Sequence, residues 1–113
     1  MSQITTHVLD TAQGCPAAGI PITLCKLDGS TWQNIGQGVT DNDGRVGNLC
    51  AQDQVLAAGT YRMQFDTEQY LRRSTQNAFY PWADVVFNIG GDGQHYHIPL
   101  LLSPYGYSTY RGS

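Results

Sequence analysis

Tyr61-Arg62-Met63-Gln64-Phe65-Asp66 decides the fold. Large apolar side chains alternate one for one with polar ones, the period of a strand with one face buried. The same period recurs on either side. Ile20, Ile22 and Leu24 alternate with Pro21, Thr23 and Cys25, and Val85, Phe87 and Ile89 repeat the pattern further on. Gln94 to Leu102 reads as a strand with Tyr96, Ile98, Leu100 and Leu102 on one face and His95, His97, Pro99 and Leu101 on the other. Near the start, Gln3 to Asp10 sets Thr5, His7 and Leu9 against Ile4 and Val8. Pro99 has no N–H to give a ladder, so its strand is expected to be irregular or to lie at an edge there. Between the runs stand turn formers: Asp28-Gly29-Ser30, Asp41-Asn42-Asp43-Gly44, Ala58-Gly59 and Gly90-Gly91-Asp92-Gly93. One stretch breaks the period. Asp66 with Gln69 three residues on suits a capping box, which predicts a short helix ending near Gln76, pinned to a sheet by Tyr70 and Leu71. Roughly seven or eight strands and one short helix make an all-β chain, a β-sandwich.

The 113 residues fit a single domain, 1–113, with room for one core. Apolar residues make up 41%, enough to fold, whereas charged residues make up only 13%, well below the usual share. Such sparse charge suits a surface partly covered by another subunit. The net charge is −3, and no Lys/Arg cluster offers a footprint for phosphates, so nucleic acid is not an expected partner. No apolar run has the length of a membrane span, and Met1 to Asp10 lacks the features of a secretory signal. Cys15, Cys25 and Cys50 are odd in number and lack C-x-x-C spacing. They read as reduced thiols in a reducing compartment, which makes the cytoplasm the expected location.

Candidate chemistry centres on three histidines, His7, His95 and His97. His95 and His97 project from one face of one strand. Such a trio suits a zinc site, acid–base work near neutral pH, or simply a solvated sheet face. The run Asp41 to Gly44 invites a calcium reading. Setting Gly44 at the invariant glycine of an EF-hand loop puts Val39 and Cys50 at ligand positions, so the run reads as a turn. Arg45, one of five arginines, follows it directly and opens a strand. The P-loop, the G-x-S-x-G elbow, the dinucleotide fingerprint and H-E-x-x-H are absent, and neither Cys15 nor Cys50 has a neighbouring histidine. The C-terminal stretch Tyr105 to Ser113 is aromatic and strand-like, which suggests a packed end bearing Arg111 and the Ser113 hydroxyl.

Taken together these stretches resemble the 5-hydroxyisourate hydrolase branch of the transthyretin-like family. The likeness runs through Thr6-His7-Val8-Leu9-Asp10, Gly14-Cys15-Pro16-Ala17, Thr40 to Arg45, Tyr61 to Tyr70 and Phe79-Tyr80-Pro81. It continues through His95 to Pro104 and ends in Tyr107-Ser108-Thr109-Tyr110-Arg111-Gly112-Ser113. The closing Tyr-Arg-Gly-Ser is the most specific part. The resemblance implies an eight-stranded transthyretin-like sandwich in two sheets with one short helix. It implies a homotetramer, a dimer of dimers, with active sites where the dimers meet. It also implies hydrolysis of 5-hydroxyisourate, a product of urate oxidation, without metal or other cofactor. By matching motifs, His7, Arg45, His97 and Ser113 would be catalytic. Substrate would be held by His7, Arg45, Tyr110, Arg111, Gly112 and Ser113, with His95 in a supporting or surface place. The competing expectations are a non-catalytic carrier of a small aromatic ligand in the same channel and a zinc-dependent hydrolase.

Overall fold

A computed structural model describes residues 2–112. The chain runs β1 (Ile4–Asp10), β2 (Cys15–Pro16), β3 (Pro21–Asp28), β4 (Thr31–Val39), β5 (Arg45–Val46) and β6 (Gly59–Phe65). The helix α1 (Glu68–Arg73) follows, then β7 (Ala83–Ile89), β8 (Tyr96–Ser103) and β9 (Gly106–Thr109). One sheet has the order β4-β3-β6-β7 and is antiparallel throughout. The other runs β2-β1-β8-β9, with β5 also paired to β1. In it β1 and β8 lie parallel, joining the two ends of the chain at the centre of the sheet. The all-β sandwich expected from the alternation is thus the observed fold. Nine strands replace the expected eight or so because β2 and β5 are two residues long, too short to show a period.

The inner faces hold the core. Ile4, Val8, Ile98, Leu100 and Leu102 from one sheet meet Ile22, Leu24, Tyr61, Met63 and Phe65 from the other. All ten are nearly or wholly withdrawn from water, which is where alternation places them. Tyr70 and Leu71 pack the helix against this core, as expected. The helix start differs from expectation. Asp66, just past the end of β6, is still tied to the sheet, its N–H donating to the Pro21 carbonyl at 2.9 Å. The cap therefore falls to Thr67, which makes no side-chain capping bond, and the capping box of Asp66 and Gln69 is not formed. The Glu68 N–H donates instead to the Pro81 carbonyl at 3.2 Å, satisfying one free helix donor.

Pro99 also differs. Its strand is internal, between β1 and β9, and continuous from Tyr96 to Ser103. The irregularity is confined to the β9 side. There the ladder stops at Leu100 opposite Thr109 and resumes as a bridge between His97 and Gly112. Amide groups alternate sides along a strand, so the donor Pro99 lacks is one that would face β9, not β1. Its carbonyl accepts from the Thr109 hydroxyl at 2.6 Å. Among the described residues no helix is long and apolar enough to cross a membrane.

Candidate active site

The site lies on the outer face of the five-stranded sheet and follows from register. On β1, Thr5 and His7 point away from the core residues Ile4 and Val8. Thr5 lies opposite His97 of β8, and His7 lies opposite Arg45 of β5. Side chains of directly paired residues share a face and stand about 5 Å apart. Arg45 therefore stands directly beside His7, and His97, opposite Thr5 rather than His7, stands diagonally from His7 on the same face. Thr5, Arg45, Gly47, His95 and His97 help line a cavity of about 200 Å³ there.

Arg45 owes its place to the turn before it. Asp41 Oδ1 accepts the N–H groups of Asp43 at 2.9 Å and Arg45 at 3.0 Å. The Gly44 carbonyl accepts the Val8 N–H at 2.7 Å, tying the turn to β1. Gly44 has φ of +75°, and a Cβ there would collide with the Val8 carbonyl oxygen. Only glycine combines that conformation with that approach. The Arg45 N–H bond is the main reason the Asp41 carboxyl is held below its ordinary range. The run Asp41 to Gly44 is thus a turn that docks β5 on β1.

His97 is half-buried, and burial is the first cause pushing its pKa below the ordinary 6.5. The Arg45 guanidinium adds to this, then His7, then His95, each disfavouring a second positive charge. These surroundings favour the neutral imidazole, the form that can take a proton. Its Nδ1 lies 2.8 Å from the Thr5 hydroxyl oxygen, and His95 Nε2 lies 3.1 Å from the same oxygen. His95 is exposed, its ring nearly parallel to that of His97, with centroids 6.4 Å apart.

The C-terminal segment reaches the same place. The Gly112 N–H donates to the His97 carbonyl at 2.7 Å. A Cβ on Gly112 would stand 2.8 Å from His97 Cδ2, so the backbone passes against the imidazole. Tyr110 is exposed, and the shared register sets it opposite Pro99. Arg111 lies apart from the imidazoles. Its guanidinium stacks over the Tyr96 ring at 4.5 Å and donates to Gln94 Oε1 at 2.9 Å. Ser113 lies outside the described residues. Among the described residues no three His, Cys, Asp or Glu side chains are grouped to hold a metal ion.

Thr5 is the site residue that sequence reasoning passed over. Its place on the His7 face of β1 was visible, but its contact with His97 depends on the parallel pairing of β1 with β8.

Residues 4–112 match the model of the HIUase/Transthyretin family. A mouse 5-hydroxyisourate hydrolase is 46% identical over 114 residues, covering 99% of this chain and 96% of its own. A probable 5-hydroxyisourate hydrolase of Caenorhabditis elegans is 48% identical over 112 residues, covering 99% of this chain and 82% of its own. Among solved structures, 5-hydroxyisourate hydrolase of Klebsiella pneumoniae superposes with a TM-score of 0.85 at 34% identity over the full length of both chains. Sea bream transthyretin in complex with thyroxine gives 0.90 at 34% identity, covering 97% of this chain and 94% of its own. With its sandwich fold and nearly its whole length in common with these proteins, the chain belongs to the HIUase/Transthyretin family.

Proposed function

We propose that this protein hydrolyses 5-hydroxyisourate to 2-oxo-4-hydroxy-4-carboxy-5-ureidoimidazoline, a step of urate degradation. The observation that carries the reading is the gathering of Arg45, His7 and His97 on one face of three adjacent strands, in a chain whose relatives bear the hydrolase name. Opening this flat, carbonyl-rich ring needs water to add to a ring carbonyl and a C–N bond to break. One imidazole takes the proton of the attacking water, and the other delivers a proton to the departing nitrogen. His7 and His97 divide these tasks. Arg45 holds the substrate and the oxyanion that forms at the carbonyl, because guanidinium is always charged and donates in a fork. Tyr110, Arg111, Gly112 and Ser113 bind and orient the ring, Arg111 by fixing the course of the tail over Tyr96. In the proposed mechanism the imidazoles carry the proton transfers and Arg45 the oxyanion, so no step calls on a cofactor or metal.

Residues 1–113 act as one domain in this reading. The functional unit is a homotetramer, a dimer of dimers, which the low charge of the surface supports. The three free thiols suit the cytoplasm. The test is to add the protein to urate and urate oxidase and follow the intermediate by absorbance. Its decay is expected to accelerate in proportion to enzyme. Decay at the spontaneous rate would refute the reading, and a bound but unconverted intermediate would mark a carrier.

A further inference from the structure

His95 has no part in the chemistry above, yet it shares one oxygen with His97. Thr5 Oγ1 is 2.8 Å from His97 Nδ1 and 3.1 Å from His95 Nε2. Thr5 itself is 5% exposed. A hydroxyl has one proton to give, and it can also accept. When it donates to His97, Nδ1 is an acceptor and Nε2 carries the proton; His95 Nε2–H then donates to Thr5. When it donates to His95, His97 Nδ1–H donates to Thr5 and Nε2 is a free base. Whenever the Thr5 proton lies between the two rings, the imidazoles take matched tautomers. The first arrangement makes His97 a proton donor at Nε2, the second a proton acceptor.

We propose that Thr5 and His95 are positioning residues for His97, with the Thr5 hydroxyl setting which His97 nitrogen is protonated and linking that ring to solvent through His95. This rests on the hydrolase reading for its kinetic consequence alone. A proton arriving at His97 Nε2 releases Nδ1–H to Thr5 Oγ1, and the Thr5 proton passes to His95 Nε2. His95 then loses a proton to solvent from Nδ1. One proton enters, one leaves, and no other reactant is needed. The Cδ2 edge of the His97 ring, away from Nδ1, lies against Gly112. Among the described residues, the charged and titratable groups facing His97 are Arg45 from β5, His7 from β1 and His95, which stands just ahead of β8.

The test uses the full chain, with Thr5→Val, Thr5→Ser and His95→Phe. Long-range proton–nitrogen NMR reads the tautomer of His97 without any substrate. In the wild type and Thr5→Ser, the His97 nitrogens are expected to show the same tautomer balance. In Thr5→Val that balance should shift, and it should move likewise in His95→Phe. In parallel, kcat should fall about tenfold in Thr5→Val with KM nearly unchanged, less than the roughly 10²- to 10⁴-fold that loss of the acid or base itself would cost. Thr5→Ser should recover it. Unchanged His97 nitrogen shifts in folded Thr5→Val and His95→Phe would overturn the proposal. So would equal kcat losses in Thr5→Val and Thr5→Ser. A wild-type protein without hydrolase activity but with the coupled tautomers would refute the hydrolase reading and leave the Thr5 tether standing.

Discussion

At the scale of the residue, the proposed mechanism depends on a neutral His97, the form its surroundings favour. Burial and then the Arg45 charge depress its pKa from 6.5, so the folded protein binds its proton less readily than the unfolded chain does. Two consequences follow. The His97 contribution to stability is complete above pH 6.5 and is lost as pH falls from there through the lowered value. The acid limb of kcat/KM should also lie below 6.5, since the base survives to lower pH. In Arg45→Met one cause of the depression is gone. The limb should move up toward 6.5 while kcat/KM drops on the order of 10²-fold for want of an oxyanion donor. A pH–rate profile of both proteins checks this; an unmoved limb would show that Arg45 does not bear on His97. The faces of His7 and His97 were legible because each lies in a long alternating run. The role of Thr5 was not, because it arises between positions separated by 92 residues in sequence.

At the scale of the element, the short pieces place the chemistry. The turn Asp41 to Gly44 sets β5 so that Arg45 faces His7. Gly44→Ala forces a left-handed φ on a residue with a Cβ and pushes it into the Val8 carbonyl. Unfolding should become easier by about 1–3 kcal/mol, with activity reduced as Arg45 shifts; denaturant melts and initial rates measure the two. Gly112→Ala should behave differently. It lies at the sheet edge, so stability should change by less than about 0.5 kcal/mol. The new Cβ would press on the His97 ring, and kcat should fall about tenfold. Equal rates in Gly112→Ala and the wild type would mean that the tail's contact with His97 is idle. The long strands were readable from their period. The two-residue strands β2 and β5 were not, since two residues carry no period. The helix start moved because a sheet hydrogen bond to Pro21 claimed Asp66 first.

At the scale of the molecule, the site depends on β1 being held at both ends. Its last residue, Asp10, is buried, yet its carboxylate accepts from the Ala12 and Gln13 N–H groups, the Tyr70 hydroxyl and the Gln76 side chain. Burial alone would raise its pKa; these bonds outweigh it, led by that from Gln13, and the net shift is downward from 3.8. Burial and the Asp10 carboxylate push Tyr70 up to about 12. The Asp10 contribution to stability is present above pH 3.8 and fades as pH falls through the lowered value. Asp10→Ala should cost about 2–4 kcal/mol, since several bonds to a buried charge are lost, and should flatten the acid end of the stability profile. The sandwich was legible as a whole because alternation fixes which faces meet. The parallel join of β1 with β8 was not, because no local pattern states which strands are neighbours. Removal of residues 111–113 should leave a folded protein with little activity. The most direct test of the imidazole and guanidinium group is the rate of 5-hydroxyisourate loss with His7→Ala and with His97→Ala, each checked for native folding. Both should be slower than the wild type by about 10²- to 10⁴-fold. Near wild-type turnover in either folded variant would contradict the account.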